Sequence, residues 1–193
     1  MTTYVVCDIE ADGPIPGPYS MISLGAVAVN REGKELGDFE INFLPLENAK
    51  PHPLTMKWFT THAPEALDYC KQNQVSPKEG MNQFGNWLLI LPKPRVMAAH
   101  PAPLDFMWIN WYMQIFLKDE LEETPFTKPF FDNKAQGAFD IKSYAAAVLK
   151  KDFTDIDRNT YPKDLHDNTK HTHKAIDDAR EYSQLLIKLL NKK

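Results

Sequence analysis

Four carboxylates and one histidine, spread over the whole chain, set the hardest condition on any fold this sequence can adopt: Asp8 and Glu10, then Asp105, then His173 with Asp178. Gathered at one point, four acids repel one another strongly, and a fold tolerates this only where hard cations hold them together. Two metal ions about 4 Å apart are a known device for in-line attack on a phosphodiester. The pattern therefore points first to nuclease chemistry.

The first block is a β-branched run, Tyr4-Val-Val-Cys7, that turns acidic at Asp8-Ile-Glu10 and ends at Gly13-Pro-Ile-Pro-Gly-Pro18, which reads as a strand feeding a loop. Side chains alternate across a strand, so Asp8 and Glu10 point to the same face and can clasp one ion. An all-oxygen site of this kind suits magnesium or manganese. By itself the pattern is weak, because a strand ending in acids is often a solvated edge.

In the second block a short apolar strand, Val96 to Ala99, meets His100-Pro-Ala-Pro and then an aromatic helix from Leu104 to Leu117. Asp105 falls in the first turn, where the exposed amides and the helix dipole favour a carboxylate in any case. The third block discriminates better. Across a helix from about Lys174 to Leu190, Ala175, Ala179, Tyr182 and Leu186 form a narrow apolar stripe that Asp178 borders and Asp177 does not. Asp178 is therefore the inward acid, and a buried carboxylate without a partner is costly.

In these blocks the chain resembles the DEDDh branch of the 3′–5′ exonucleases, which share a ribonuclease H-like fold. Asp8-Ile-Glu10 is similar to the family's Asp-x-Glu motif, His100-Pro-Ala-Pro-Leu-Asp105 to its His-Asn-x-x-Phe-Asp motif, and His173-Lys-Ala-Ile-Asp-Asp178 to its His-x-x-x-x-Asp motif, in the same order and spacing. The likeness extends to Met21 to Val29 as a second strand and Lys34 to Pro45 as a third, so it covers nearly the whole chain. It implies an α/β fold: a ribonuclease H-like mixed sheet of three antiparallel strands plus parallel strands, flanked by helices, with residues 1–193 as one exonuclease domain.

The resemblance further implies that Asp8, Glu10, Asp105 and Asp178 hold two divalent ions, Mg²⁺ or Mn²⁺, with Asp8 bridging. His173 takes a proton from the attacking water, a task suited to a side chain that titrates near working pH. The substrate is the 3′ end of single-stranded DNA or RNA and the product a nucleoside 5′-monophosphate. Ala11, Asp12, Gly13, His100 and Phe106 are candidate substrate contacts, and Trp58 and Tyr19 further candidates for stacking on terminal bases. The chain departs from the family pattern at Asp12, an extra acid beside the site, and at Pro101 and Leu104, which replace Asn and Phe. None of these removes a ligand; they bear on the nucleotide pocket. Homodimers occur in such enzymes, so a homodimer belongs among the expectations.

His166 and His171 share the polar stretch with His173, but only His173 has the spacing to Asp178. A zinc reading of that cluster lacks any nearby cysteine. The length and unpatterned polarity of 151–172 suggest that His173 becomes fully positioned only when substrate and metal bind. Net charge of −4 argues against a broad basic surface gripping duplex, and Lys170 and Lys174 are the lysines nearest the motif. No run approaches a membrane span, no signal-type segment opens the chain, and Cys7 and Cys70 lack paired spacing, which together suggest a cytoplasmic protein with reduced thiols.

Two other classes compete with an exonuclease. A two-metal hydrolase of dinucleotides or small phosphoesters fits the modest basic content. A catalytically silent nucleic-acid-binding module has no use for a complete set of four acids and a base.

Overall fold

The computed structural model describes residues 1–117, 137–166 and 171–192. A five-stranded sheet in the order β3-β2-β1-β4-β5 organises them, with β1 Thr3–Ala11, β2 Met21–Asn30, β3 Glu35–Asn42, β4 Arg95–Ala99 and the two-residue β5 Phe139–Asp140. The first three strands run antiparallel as the sequence suggests, and β4 and β5 add in parallel. The turn between β2 and β3 is closed by the Gly33 amide donating to the Asn30 carbonyl, with Gly33 at a φ of 84° that favours glycine.

Strand alternation sorts the core into two layers. Val5, Cys7 and Ile9 of β1 join Leu24 and Ala26 of β2 beneath α3 (Pro77–Ile90) and α4 (Ala102–Phe116), which contribute Met81, Phe84, Leu88, Trp108 and Tyr112. On the other face Val6 and Val27 pack under α5 (Ile141–Leu149) and α6 (Ala175–Leu190), through Ala145, Ala179, Leu185 and Leu186. Asp8 and Glu10 share the parity of Val6, so they emerge on the α6 side.

Local signals explain the helix ends. Ser76 accepts from the Glu79 amide and Pro77 occupies the first turn of α3; Asp140 accepts from the Ser143 amide at the start of α5. Between β3 and α3 lie two helices, α1 (Pro53–His62) and α2 (Pro64–Cys70), because Pro64 cannot continue α1 and instead opens α2. Their buried faces, Phe59, Ala66, Leu67 and Cys70, meet Ile22 of β2 in a third small cluster. Helix α4 begins at Ala102 rather than Leu104, with Pro103 tolerated in its first turn. The irregular stretch expected at 118–137 lies, apart from Gly137, outside the described residues, as does Lys170. Among the described residues no helix is long and apolar enough to cross a membrane.

Candidate active site

Carboxylate oxygens of Asp8 and Glu10, at the end of β1, and of Asp178, in the first turn of α6, lie within 4.8 Å of one another. Asp178 is buried and Asp177 exposed, as the stripe on α6 requires. Gly25 makes this meeting of helix and strand possible. It pairs with Asp8 across the β1–β2 ladder, and a Cβ there would fall 2.3 Å from both the Ala175 carbonyl carbon and the Ile176 nitrogen. The N-terminus of α6 therefore rests directly on bare β2 backbone beside Asp8. A glycine inside a buried strand is a legible sign of such close approach.

Asp105, on α4, reaches the group from the opposite face of the sheet. It is buried, and its Oδ1 accepts from the Ile9 amide at 3.2 Å, a bond that ties the helix acid to the middle of the Asp8-Ile-Glu10 run. Burial pushes the Asp105 carboxyl up to about 8, against the lowering effect of the Ile9 bond. Asp8 is driven well above the usual carboxylate range by burial and then by the charges of Asp105, Asp178 and Glu10; Glu10 is raised by burial, Asp178 and Asp105. Acids that raise one another in this way make a strong sink for hard, multiply charged cations.

His173 and His171 flank Asp178 on the solvent side. Each offers a ring nitrogen within 4.8 Å of the Asp178 carboxylate and of the other ring; His171 Nδ1 is 3.0 Å from Asp178 Oδ1, and the two rings are 4.0 Å apart. His173 adopts φ 55°, a left-handed conformation uncommon outside glycine, and its ring meets the edge of Trp58 at 5.0 Å. Burial, with the neighbouring His171, lowers its pKa. Neither the His171 contact nor the Trp58 contact was legible in the sequence, since both depend on the path of the chain before α6.

The remaining candidates are placed differently. Asp12 turns inward: its Oδ1 accepts from the Ser20 amide at 2.6 Å, its carbonyl accepts from the His52 amide, and only 2% of it is exposed. Its carboxylate thus closes the loop after β1. Ala11 sits just past a register shift in β1, and a Cβ on Gly13 would collide with the Tyr19 ring at 2.1 Å. Phe106 faces a shallow cavity with Ala102, Pro103, Ala138 and Asp140. Lys174 lies over the Tyr69 ring. Arg158 and His166 both hold Glu181 of α6, pinning the 158–166 segment to the helix that carries Asp178.

His100 stacks flat on Tyr182, centroids 4.4 Å apart, and its Nε2 is 2.6 Å from the Tyr161 hydroxyl. Burial lowers its pKa from 6.5 to about 4. The folded-state value is depressed, so the stability it contributes is present above pH 6.5 and is lost as pH falls towards 4. The loss is on the order of 3 kcal/mol at one pKa unit per roughly 1.4 kcal/mol. Chemical denaturation of the wild type and of His100→Gln at pH 7 and pH 4 checks this. The wild type is expected to lose more stability than the variant by about that amount; equal losses would refute it.

Helices on both faces of a mixed sheet, with acids converging at the end of its first strand, define the architecture. The nuclease domain of 3′hExo, a DEDDh family member bound to rAMP, superposes with a TM-score of 0.62 at 13% identity, covering 98% of this chain and 90% of that one. The fold is that of the DEDDh 3′-exonucleases. Exonuclease I of E. coli, in a zinc-bound complex with single-stranded DNA, matches at TM-score 0.68 and 13% identity over 98% of this chain and 40% of that one. By sequence the chain is 28% identical over 193 residues to the 3′–5′ DNA exonuclease Cap18 of Escherichia coli, covering 98% of this chain and 91% of the relative. No protein-family model matches the chain.

Proposed function

We propose that the chain is a metal-dependent 3′–5′ exonuclease that releases nucleoside 5′-monophosphates from single-stranded ends. The observation that carries the proposal is the convergence of Asp8, Glu10 and Asp178 within 4.8 Å, with Asp105 bonded to the Ile9 amide between the two β1 acids and His173 beside Asp178. The DEDDh fold and a whole-length relative named as a 3′–5′ DNA exonuclease support it.

The donor set fits hard divalent ions: it is all carboxylate oxygen, half-buried at Asp8 and Glu10 and buried at Asp105 and Asp178, and electrostatically overloaded unless a cation is present. Asp8, Glu10, Asp105 and Asp178 would hold two Mg²⁺ or Mn²⁺ ions, which supply an activated water and charge stabilisation at the leaving 3′ oxygen. The chain contributes the rest. His173 stays neutral at working pH because burial and His171 disfavour its charged form, so its imidazole is ready to accept the proton of the attacking water. Trp58, with its indole 40% exposed beside His173, presents a face on which the terminal base would stack. Asp12, engaged with Ser20, keeps its charge off the incoming phosphate.

His173→Asn is expected to lower kcat by about 10²–10⁴-fold, the usual contribution of a positioned base, with little change in melting temperature because the ring is part exposed. A variant within a factor of two of the wild type would remove His173 from the mechanism.

The proposal itself is tested by a time course on 5′-labelled single-stranded DNA and RNA of several lengths with Mg²⁺ or Mn²⁺. A ladder shortening from the 3′ end, abolished by chelator, supports it. Cleavage confined to the shortest oligonucleotides would transfer the site to dinucleotides, and no cleavage of any strand would overturn the exonuclease reading. DNA is the first substrate to try, since the whole-length relative carries that name.

A further inference from the structure

We infer that His171, His173 and Asp178 form a three-ligand site for a borderline transition-metal ion such as zinc, sharing Asp178 with the acid cluster but adding two imidazoles, and that filling it switches hydrolysis off. The three side chains offer one ligand atom each within 4.8 Å of one another. Bonds of about 2.0–2.1 Å in a tetrahedral array place ligand atoms about 3.3 Å apart. His171 Nδ1 and Asp178 Oδ1 already stand 3.0 Å apart, and a His173 ring nitrogen lies within 4.8 Å of a ligand atom of each. His171 Nδ1 is out of solvent contact and makes no aligned hydrogen bond among the described residues, which leaves its nitrogen available to a metal.

Two imidazoles and one carboxylate, with a fourth position open, match the donor sets of zinc sites and are a poor match for magnesium, which prefers oxygen and water. The acid cluster offers only oxygen, so the two imidazoles are what would draw such an ion to this side of Asp178. His171 and His173 line a cavity of about 240 Å³ with His62, Glu65 and Lys174, so both rings border open space outside the acid cluster. Occupation turns Asp178 towards the histidines and engages the His173 nitrogen. Inhibition, unlike binding, rests on the hydrolytic roles given to those two residues above.

Cobalt(II) is the probe, because four-coordinate sites with nitrogen ligands give strong visible bands and octahedral oxygen sites give weak ones. It is titrated into the wild type, His171→Gln and Asp8→Asn in excess Mg²⁺, and zinc inhibition is measured in parallel, normalised to each variant's own Mg²⁺-supported rate. Strong bands in the wild type and Asp8→Asn, absent in His171→Gln, are expected. His171→Gln should also need at least about tenfold more zinc for half-inhibition, since losing an outer-shell partner alone costs roughly 10–100-fold in affinity. Weak bands only, bands undiminished in His171→Gln, or equal zinc sensitivity of His171→Gln and the wild type would overturn the inference. The spectrum decides the site whether or not the chain cleaves nucleic acid.

Discussion

Asp8→Asn is expected to lower the rate of 3′-end hydrolysis by about 10³-fold or more while raising the melting temperature of the metal-free protein. The loss follows from the site: Asp8 groups with Glu10 and Asp178 within 4.8 Å and feels the charge of Asp105 as well, and the charge stabilisation such a centre supplies is worth several kcal/mol, at about 1.4 kcal/mol per decade. The gain follows from electrostatics. A carboxylate whose folded-state pKa is raised contributes stability that is present below its unfolded value near 4 and is lost as pH rises through the folded value. For Asp105 that window runs from about 4 to about 8, and Asp8 and Glu10 act in the same direction. Removing the Asp8 charge relieves its neighbours, and each 1 kcal/mol relieved raises Tm by about 2–4 °C in a chain of this size. Melting curves at pH 6 and pH 8, with and without Mg²⁺, separate the contributions. The variant should gain most at pH 8 without metal, and Mg²⁺ should stabilise the wild type more than the variant. If Asp8→Asn melted lower than the wild type in metal-free buffer at pH 8, the acids would not be in mutual conflict.

Gly25→Ala should damage the site almost as badly without touching any polar group. The added methyl would press on the backbone of Ala175 and Ile176 at 2.3 Å, and backbone cannot rotate away as a side chain can. Forcing extra volume into a packed interior costs typically about 1–3 kcal/mol. The relief available is for the first turn of α6 to lift from β2, and that turn carries Asp178. A displacement of about 1 Å in a catalytic constellation can cost on the order of 10²-fold in rate. Kinetics and thermal melting of Gly25→Ala test both halves. Full activity with an unchanged Tm would mean that α6 tolerates a Cβ beneath it and that Asp178 is placed by other contacts.

Much of the site was legible because its constraints are local. The alternation of β1 set Asp8 and Glu10 on one face, and the 3.6-residue stripe of α6 separated buried Asp178 from exposed Asp177. The caps at Ser76 and Asp140 are local in the same way, each acting within one turn of its helix. What escaped depends on contacts between distant segments. The sequence cannot say that His100 turns to Tyr182 and Tyr161 rather than towards the acids, since both partners lie more than 60 residues away. Asp12 could be read as an extra charge beside phosphate; its engagement with Ser20 appears only once the loop folds back on itself. Nor does the pattern separate Phe59, which is core, from its neighbour Trp58, which is exposed beside His173. The two-residue β5 is too short for any alternation to reveal.

The covering of β1 by α6 has a consequence for how the protein is made. The strand that carries Asp8 and Glu10 is made before the helix that completes the acid group, with β2, β3, β4 and α1 to α5 between them. Until α6 is synthesised, Val6 and Val27 lack their lid and Asp178 is absent, so the reactive centre cannot assemble on a partial chain. A translation product that stops short of α6 would therefore carry Asp8 and Glu10 without the third acid that completes their group.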